Sequence, residues 1–114
     1  MEWKGLSINE SRFLGRVVEA PQILKTATGE CAWIRLSTKV RELAANKQWI
    51  ESEQLVPLLV LDEQKIETVK KYVEVGKELS VKCYYKSWIV DGVSYHGLVV
   101  VQIDLGRSAQ TQQQ

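Results

Sequence analysis

An excess of charge of either sign is the first thing this chain lacks. Fifteen lysines and arginines stand against fourteen aspartates and glutamates over 114 residues, for a formal net charge of +1. Bulk electrostatic attraction to a polyanion is thereby excluded, and any affinity for a phosphate backbone has to come from a local patch. Histidine is nearly absent. His96 is the single one, set in an apolar run beside Gly97, where a strand residue or an interface contact is expected rather than a catalyst. The two cysteines, Cys31 and Cys83, are too few for a disulfide framework, and each sits among apolar residues as a small buried hydrophobe does. This set offers no zinc-ligand spacing, no paired nucleophile and base and no phosphate-cradling glycine loop. Asp62, Glu63 and Glu67 are expected on a helix surface, not as a carboxylate dyad. No enzyme, cofactor or metal is expected. Long apolar runs are also missing: none approaches membrane-spanning length. Met1 to Glu10 carries Glu2, Lys4 and Glu10 and lacks the apolar core of a secretion signal. A reducing cytoplasm is the expected location.

What is present is an ordinary globular composition, 45% apolar and 25% charged, in a length that supports one domain, expected over residues 1–105. Its most informative stretch is Leu79 to Ile89, LSVKCYYKSWI. Leu79, Val81, Cys83, Tyr85 and Ile89 share one parity, which a strand sends to one face as a core face. Lys82, Tyr84, Lys86 and Trp88 share the other. Cations for phosphates and flat rings for bases are what a sequence-tolerant single-strand binder needs. A half-exposed strand with solvated lysines explains the same pattern when the strand stands alone. The pattern recurs, however, in Cys31 to Lys39, CAWIRLSTK. There Ala32, Ile34, Leu36 and Thr38 oppose Trp33, Arg35, Ser37 and Lys39.

Along the chain, Arg12 to Glu19 reads as a strand, with Gly15 marking a bulge or a close backbone approach. Pro21 interrupts pairing, and 22–25 continue extended. Thr26 to Glu30 is a turn with Gly29 at positive φ. Val40 to Gln54 is polar and rich in helix formers, and suits a short helix or a mobile hairpin loop. It holds Arg41 and Trp49; a tryptophan there is a stacking platform or the anchor that pins the loop. Leu55 to Leu61 reads as a buried strand that Pro57 demotes to an edge or bulge. Asp62 to Val75 is the one firm helix, capped by Asp62, stopped by Gly76, with Ile66, Val69, Tyr72 and Val73 on one face. Asp91-Gly92 between two strand-like runs signals a hairpin. Ser94 to Leu105 returns, apolar enough that both its faces require cover. Residues 106–114 read as a disordered glutamine-rich tail.

The order of strand, strand, strand, helix, strand, strand fits an all-β fold with one helix: a five-stranded Greek-key OB-fold barrel, helix between strands 3 and 4. A ferredoxin-like plan would need a second helix from 40–54. FLGRV, APQILKTATGECAWIRLSTK and KKYVEVGKELSVKCYYKSWIVDG together resemble the bacterial single-stranded DNA-binding protein family in motif order and spacing, over about residues 9 to 105. The resemblance implies base stacking by Trp88 and phosphate-facing roles for Arg35, Lys39, Lys82 and Lys86. It also implies a homo-oligomer, commonly a tetramer, at work on single-stranded DNA in replication, recombination or repair, in association with the nucleoid. The family's aromatic stackers on the third strand have no match in Leu55 to Leu61, and Trp49 is the substitute the sequence offers. The family's acidic tail, which recruits replication and repair partners, has no counterpart after Asp104, so such partners are left open. The full expected interface is Trp33, Arg35, Lys39, Arg41, Trp49, Lys82, Tyr84, Lys86 and Trp88. The competing expectation is an OB-fold assembly module with little DNA affinity, its rings buried against a partner.

Overall fold

The computed structural model of the chain describes residues 5–27 and 29–106. Six strands and one helix follow in the order β1 (Ser11–Val17), β2 (Gln22–Thr26), β3 (Gly29–Leu43), β4 (Trp49–Val60), α1 (Glu63–Tyr72), β5 (Glu78–Val90) and β6 (Val93–Leu105). Strand β1 pairs antiparallel with β5 from Ser11↔Cys83 to Arg16↔Glu78. At its other end it meets β3 at Arg16↔Ser37 and Val17↔Leu36. Strands β3 and β4 form a long ladder from Ala32↔Val60 to Leu43↔Trp49. Strand β4 then runs parallel to β6 at Leu58↔Leu98 and Leu59↔Val99, and β6 returns antiparallel on β5. The ring β1-β5-β6-β4-β3 therefore closes on itself, with β2 outside it, paired with β3 alone. This is the expected five-stranded OB-fold barrel. The stretch before Pro21 and the stretch after it become two strands on the same side of β3, with β2 running from Gln22↔Trp33 to Thr26↔Gly29. Counting β2 separately places the single helix between β4 and β5.

Closure depends on Gly15. A Cβ there would lie 2.2 Å from the Ser37 carbonyl oxygen, so β1 and β3 can approach this closely only at a residue without a side chain. Of the two roles the sequence allows for Gly15, close approach is the one it performs. The core inside the ring comes from the even residues Ala32, Ile34 and Leu36 of β3, Leu58 and Val60 of β4, the odd residues Leu79, Val81 and Cys83 of β5, and Val100 of β6. Both cysteines are free and buried, and burial pushes the Cys83 thiol pKa up.

Helix α1 adds Ile66, Val69 and Val73 to this core. Tyr72, expected on the same face, is 56% exposed instead, because at about 100° per residue it falls at the margin of the stripe that Ile66, Val69 and Val73 define. Asp62 caps the helix: its carboxylate accepts the Gln64 amide N–H at 2.8 Å. The Lys65 ammonium at 3.1 Å, and after it the Gln64 N–H, hold its carboxyl pKa below the ordinary value. The folded pKa is depressed, so the ionised cap stabilises at neutral pH and loses its contribution as pH falls through the folded pKa. Asp62→Ala is therefore expected to lower the thermal midpoint by a few degrees at neutral pH. The gap should narrow in strong acid, as two melting series at about pH 7 and about pH 2 would show. The helix ends at Tyr72, short of the expected Val75, with Val73 as an extended C-cap; Gly76, at φ +88, serves the turn that follows, and its N–H donates to the Val17 carbonyl at 2.8 Å.

Two further expectations need correction. Residues 40–54 form no helix, and the hairpin loop the sequence allows is paired strand on both sides of its turn. They extend β3 and β4 into a projecting hairpin whose turn spans 44–48. The antiparallel ladder continues through them to Leu43↔Trp49 and outweighs helix propensity here; across it Lys39 meets Glu51 at 3.3 Å, and the Arg41 guanidinium lies 5.8 Å from the Trp49 ring centroid. Lys47 takes the left-handed turn position at φ 65, and the Asn46 side chain accepts the Gln48 N–H at 3.1 Å. The β5–β6 hairpin also projects, turning at Asp91 (φ 50) and Gly92 (φ 78) as its sequence indicates. Tyr85 and Ile89 therefore do not belong to the core face. They are 52% and 74% exposed, because β5 has left the barrel wall by that point. The tail beyond Gly106 lies outside the described residues.

Candidate nucleic-acid interface

On the outer surface of the barrel wall, alternate residues of the same strands build a second, smaller apolar cluster. Its buried floor is Cys31 of β3, Leu59 of β4 and Val99 of β6, and the half-buried rings of Trp33, Tyr84 and Trp88 pack around it. The register accounts for the gathering: Trp33 faces Leu59, Leu59 faces Val99 and Val99 faces Tyr84. Strand alternation thus sends Val100 into the core and Val99 to the outer cluster. Both apolar faces of β6 find cover at this level within one chain. Trp88 adds a cross-strand partner, Tyr95, with ring centroids 6.1 Å apart and planes 20° from parallel.

Beside these rings runs an open groove of about 640 Å³, lined by Trp33, Trp88, Lys86, Cys31 and Leu59 among others. Trp33 also lines a hollow of about 310 Å³ together with Glu19, Gln22, Arg35 and Pro57. Flat rings fixed by an apolar floor suit stacking, which tolerates any base because every base has a π-face. Since packing already fixes them, little side-chain freedom remains to be lost on binding.

The cations are arranged less simply. Lys86 lines the groove and has no ion-pair partner among the described residues. Arg35 lies 3.5 Å from Glu19, and Lys39 lies 3.3 Å from Glu51. Lys82 lies 3.5 Å from Glu10. The Arg12 guanidinium, hydrogen-bonded to Glu10 at 2.9 Å, together with Lys82 holds the Glu10 carboxyl pKa below its ordinary value. Glu30, another groove residue, accepts a hydrogen bond from Lys70 of α1 at 2.9 Å. This bond raises the Lys70 pKa and offsets the negative charge Glu30 brings to the groove.

The structure thus brings Trp33, Tyr84, Trp88 and Lys86 together and sets Arg35 beside Trp33. Lys82 stands one alternation further along the same face of β5. Lys39, Arg41 and Trp49 form a separate group on the β3–β4 hairpin, where Trp49 is 62% exposed. Trp49 opens β4 and shares the parity of Leu55, Pro57 and Leu59. The strand with no aromatic residue in Leu55 to Leu61 therefore has one at its true start. Tyr95 escaped the sequence reading; only the hairpin register fixed by Asp91-Gly92, counted back to Trp88, would have found it. The apolar floor also escaped it, because Cys31, Leu59 and Val99 are not close in sequence. His96, expected as a strand residue or contact, stacks on Tyr85 at 6.0 Å on the opposite face of the hairpin.

No protein-family model and no curated protein matches this chain. Solved structures do. A Plasmodium falciparum SSB in complex with ssDNA is similar at 19% identity, with 90% of this chain and 96% of that chain covered and a TM-score of 0.68. The mitochondrial single-stranded DNA-binding protein of S. cerevisiae matches at 15% identity, with coverage of 90% and 98% and a TM-score of 0.67. A small single-stranded DNA-binding protein from Streptomyces coelicolor matches at 17% identity, with coverage of 85% and 93% and a TM-score of 0.59. The closed barrel, its single helix and its two long hairpins thus give this chain the OB-fold found in single-stranded DNA-binding proteins of several organisms.

Proposed function

We propose that this protein binds single-stranded DNA without strong sequence preference and protects it during replication, recombination or repair. Bases stack on Trp33, Tyr84 and Trp88, with Tyr95 extending the platform and Trp49 adding a contact on the β3–β4 hairpin. Phosphates meet Lys86, Arg35, Lys82, Lys39 and Arg41. The observation that carries this reading is the gathering of the three rings on one outer face beside a groove lined by Lys86. The similarity to a structure described as an SSB complex with ssDNA supports it. On this reading the protein is no enzyme and works in the nucleoid.

The test is quenching of tryptophan fluorescence on titration with oligo-dT. Saturable quenching is expected at low salt. The logarithm of the binding constant should fall with log salt by roughly 0.7 per neutralised phosphate, near −3.5 if all five cations engage. Absence of quenching at low salt would end the proposal.

A second reading, an assembly module with little DNA affinity of its own, draws support from the carboxylates that occupy Arg35, Lys39 and Lys82. Iodide separates the two: rings open for DNA are quenched in the native protein, and rings buried in an interface are not. A homo-oligomer, with a tetramer favoured, fits the large apolar side chains left exposed at Leu14, Tyr85 and Ile89. Sedimentation of the purified chain, alone and with DNA, decides the state.

A further inference from the structure

On the basis of this function, we propose that Glu10, Glu19 and Glu51 set the affinity of the nucleic-acid face by standing in for phosphates. Each holds one phosphate-facing cation in the free protein and must be displaced before that cation can meet DNA. Glu19 lies 3.5 Å from the Arg35 Nε, Glu51 3.3 Å from the Lys39 Nζ and Glu10 3.5 Å from the Lys82 Nζ. A carboxylate offers a cation the same negatively charged oxygen acceptors as a phosphate, so the two compete directly for it. Structural stabilisation is a weak account of these pairs. Both members of the Arg35–Glu19 and Lys39–Glu51 pairs are at least half exposed, and exposed pairs contribute little to folding.

The arrangement carries a selectivity. Lys86 has no carboxylate partner among the described residues, so it can take the first phosphate without displacement while a base stacks on Trp88. Once the strand is held there, its next phosphates reach the paired cations at high effective concentration. A free phosphate or mononucleotide lacks that advantage and displaces the glutamates less readily. Contiguous strand is thereby favoured over isolated phosphates, and the near-neutral surface resists adventitious polyanion binding.

Glu19→Gln and Glu51→Gln keep side-chain shape and remove the competing charge at exposed positions. Each is expected to tighten oligo-dT binding at low salt by about 1.5- to 5-fold. The double variant should approach the product, because the two pairs share no partner, and its salt dependence should be steeper than that of the wild type. Glu63→Gln is the control: it removes the same charge from the exposed start of α1, where the carboxylate is the ion-pair partner of none of these cations. Two results overturn the proposal: a double variant that binds like the wild type, or a control that tightens binding as much as the site variants. A wild type that fails to bind oligo-dT at all is a different failure, that of the functional reading itself.

Discussion

Gly15→Ala is expected to destabilise the barrel by about 3 kcal/mol, the upper end of the ordinary cost of overpacking. The added methyl would lie 2.2 Å from the Ser37 carbonyl oxygen and 3.0 Å from its carbonyl carbon. Both are backbone atoms, so no rotamer change relieves the contact. Strand β1 can escape only by moving off β3, where its pairing is confined to Arg16↔Ser37 and Val17↔Leu36. Loss of that short ladder opens the ring and exposes Val17 and Leu36, which are 2% and 0% exposed in the closed barrel. For a domain of this size such a loss is a large share of the total stability of roughly 5–15 kcal/mol, and corresponds to a fall in the thermal midpoint on the order of 10 °C or more. Urea denaturation measures it: the midpoint should fall with little change in slope. A variant as stable as the wild type would show that the β1–β3 crossing has slack the geometry does not reveal.

The second large effect is on binding. Trp33→Ala should weaken oligo-dT affinity by about 5- to 150-fold, the equivalent of losing one stacked base at about 1–3 kcal/mol. Trp33 is chosen over the other rings because it packs on the Cys31–Leu59–Val99 floor and lines both the larger groove and the hollow beside Arg35. Removing it takes a wall from each. Trp33→Phe should recover most of the loss, since a flat ring is retained; recovery separates stacking from a general packing defect. Trp49→Ala, beside the turn at the tip of the projecting β3–β4 hairpin and outside the ring cluster, should cost less at low oligonucleotide length and more as the strand becomes long enough to reach it. Binding titrations of the three variants with oligo-dT of increasing length test this order. An unaffected Trp33→Ala protein that melts like the wild type would remove the outer face from the site.

Much of the architecture was legible in the chain. Alternation in 31–39 and in 79–83 gave the core face correctly, because period two holds wherever a strand is part of the barrel wall. The same alternation misled at Tyr85 and Ile89, since parity says nothing about where a strand leaves the wall. The polar segment 40–54 was illegible for a related reason. Its strand character comes from the backbone ladder between β3 and β4, which exists only once the two strands are aligned.

The rings and cations of the candidate site were equally visible as residue types. Trp33, Tyr84, Lys86 and Trp88 were identified from parity on two strands. Their company was not: Tyr95, the floor of Leu59 and Val99, and the glutamates that occupy Arg35, Lys39 and Lys82 all arrive from distant parts of the chain.

By itself, then, the sequence determined the strand faces within the barrel wall, the capped helix start and the Asp91-Gly92 turn. These are local matters of backbone freedom and side-chain alternation. Only the tertiary structure decided which rings share a floor and which cations are already engaged. Strand register and barrel closure bring residues tens of positions apart into contact, and no local pattern encodes those distances.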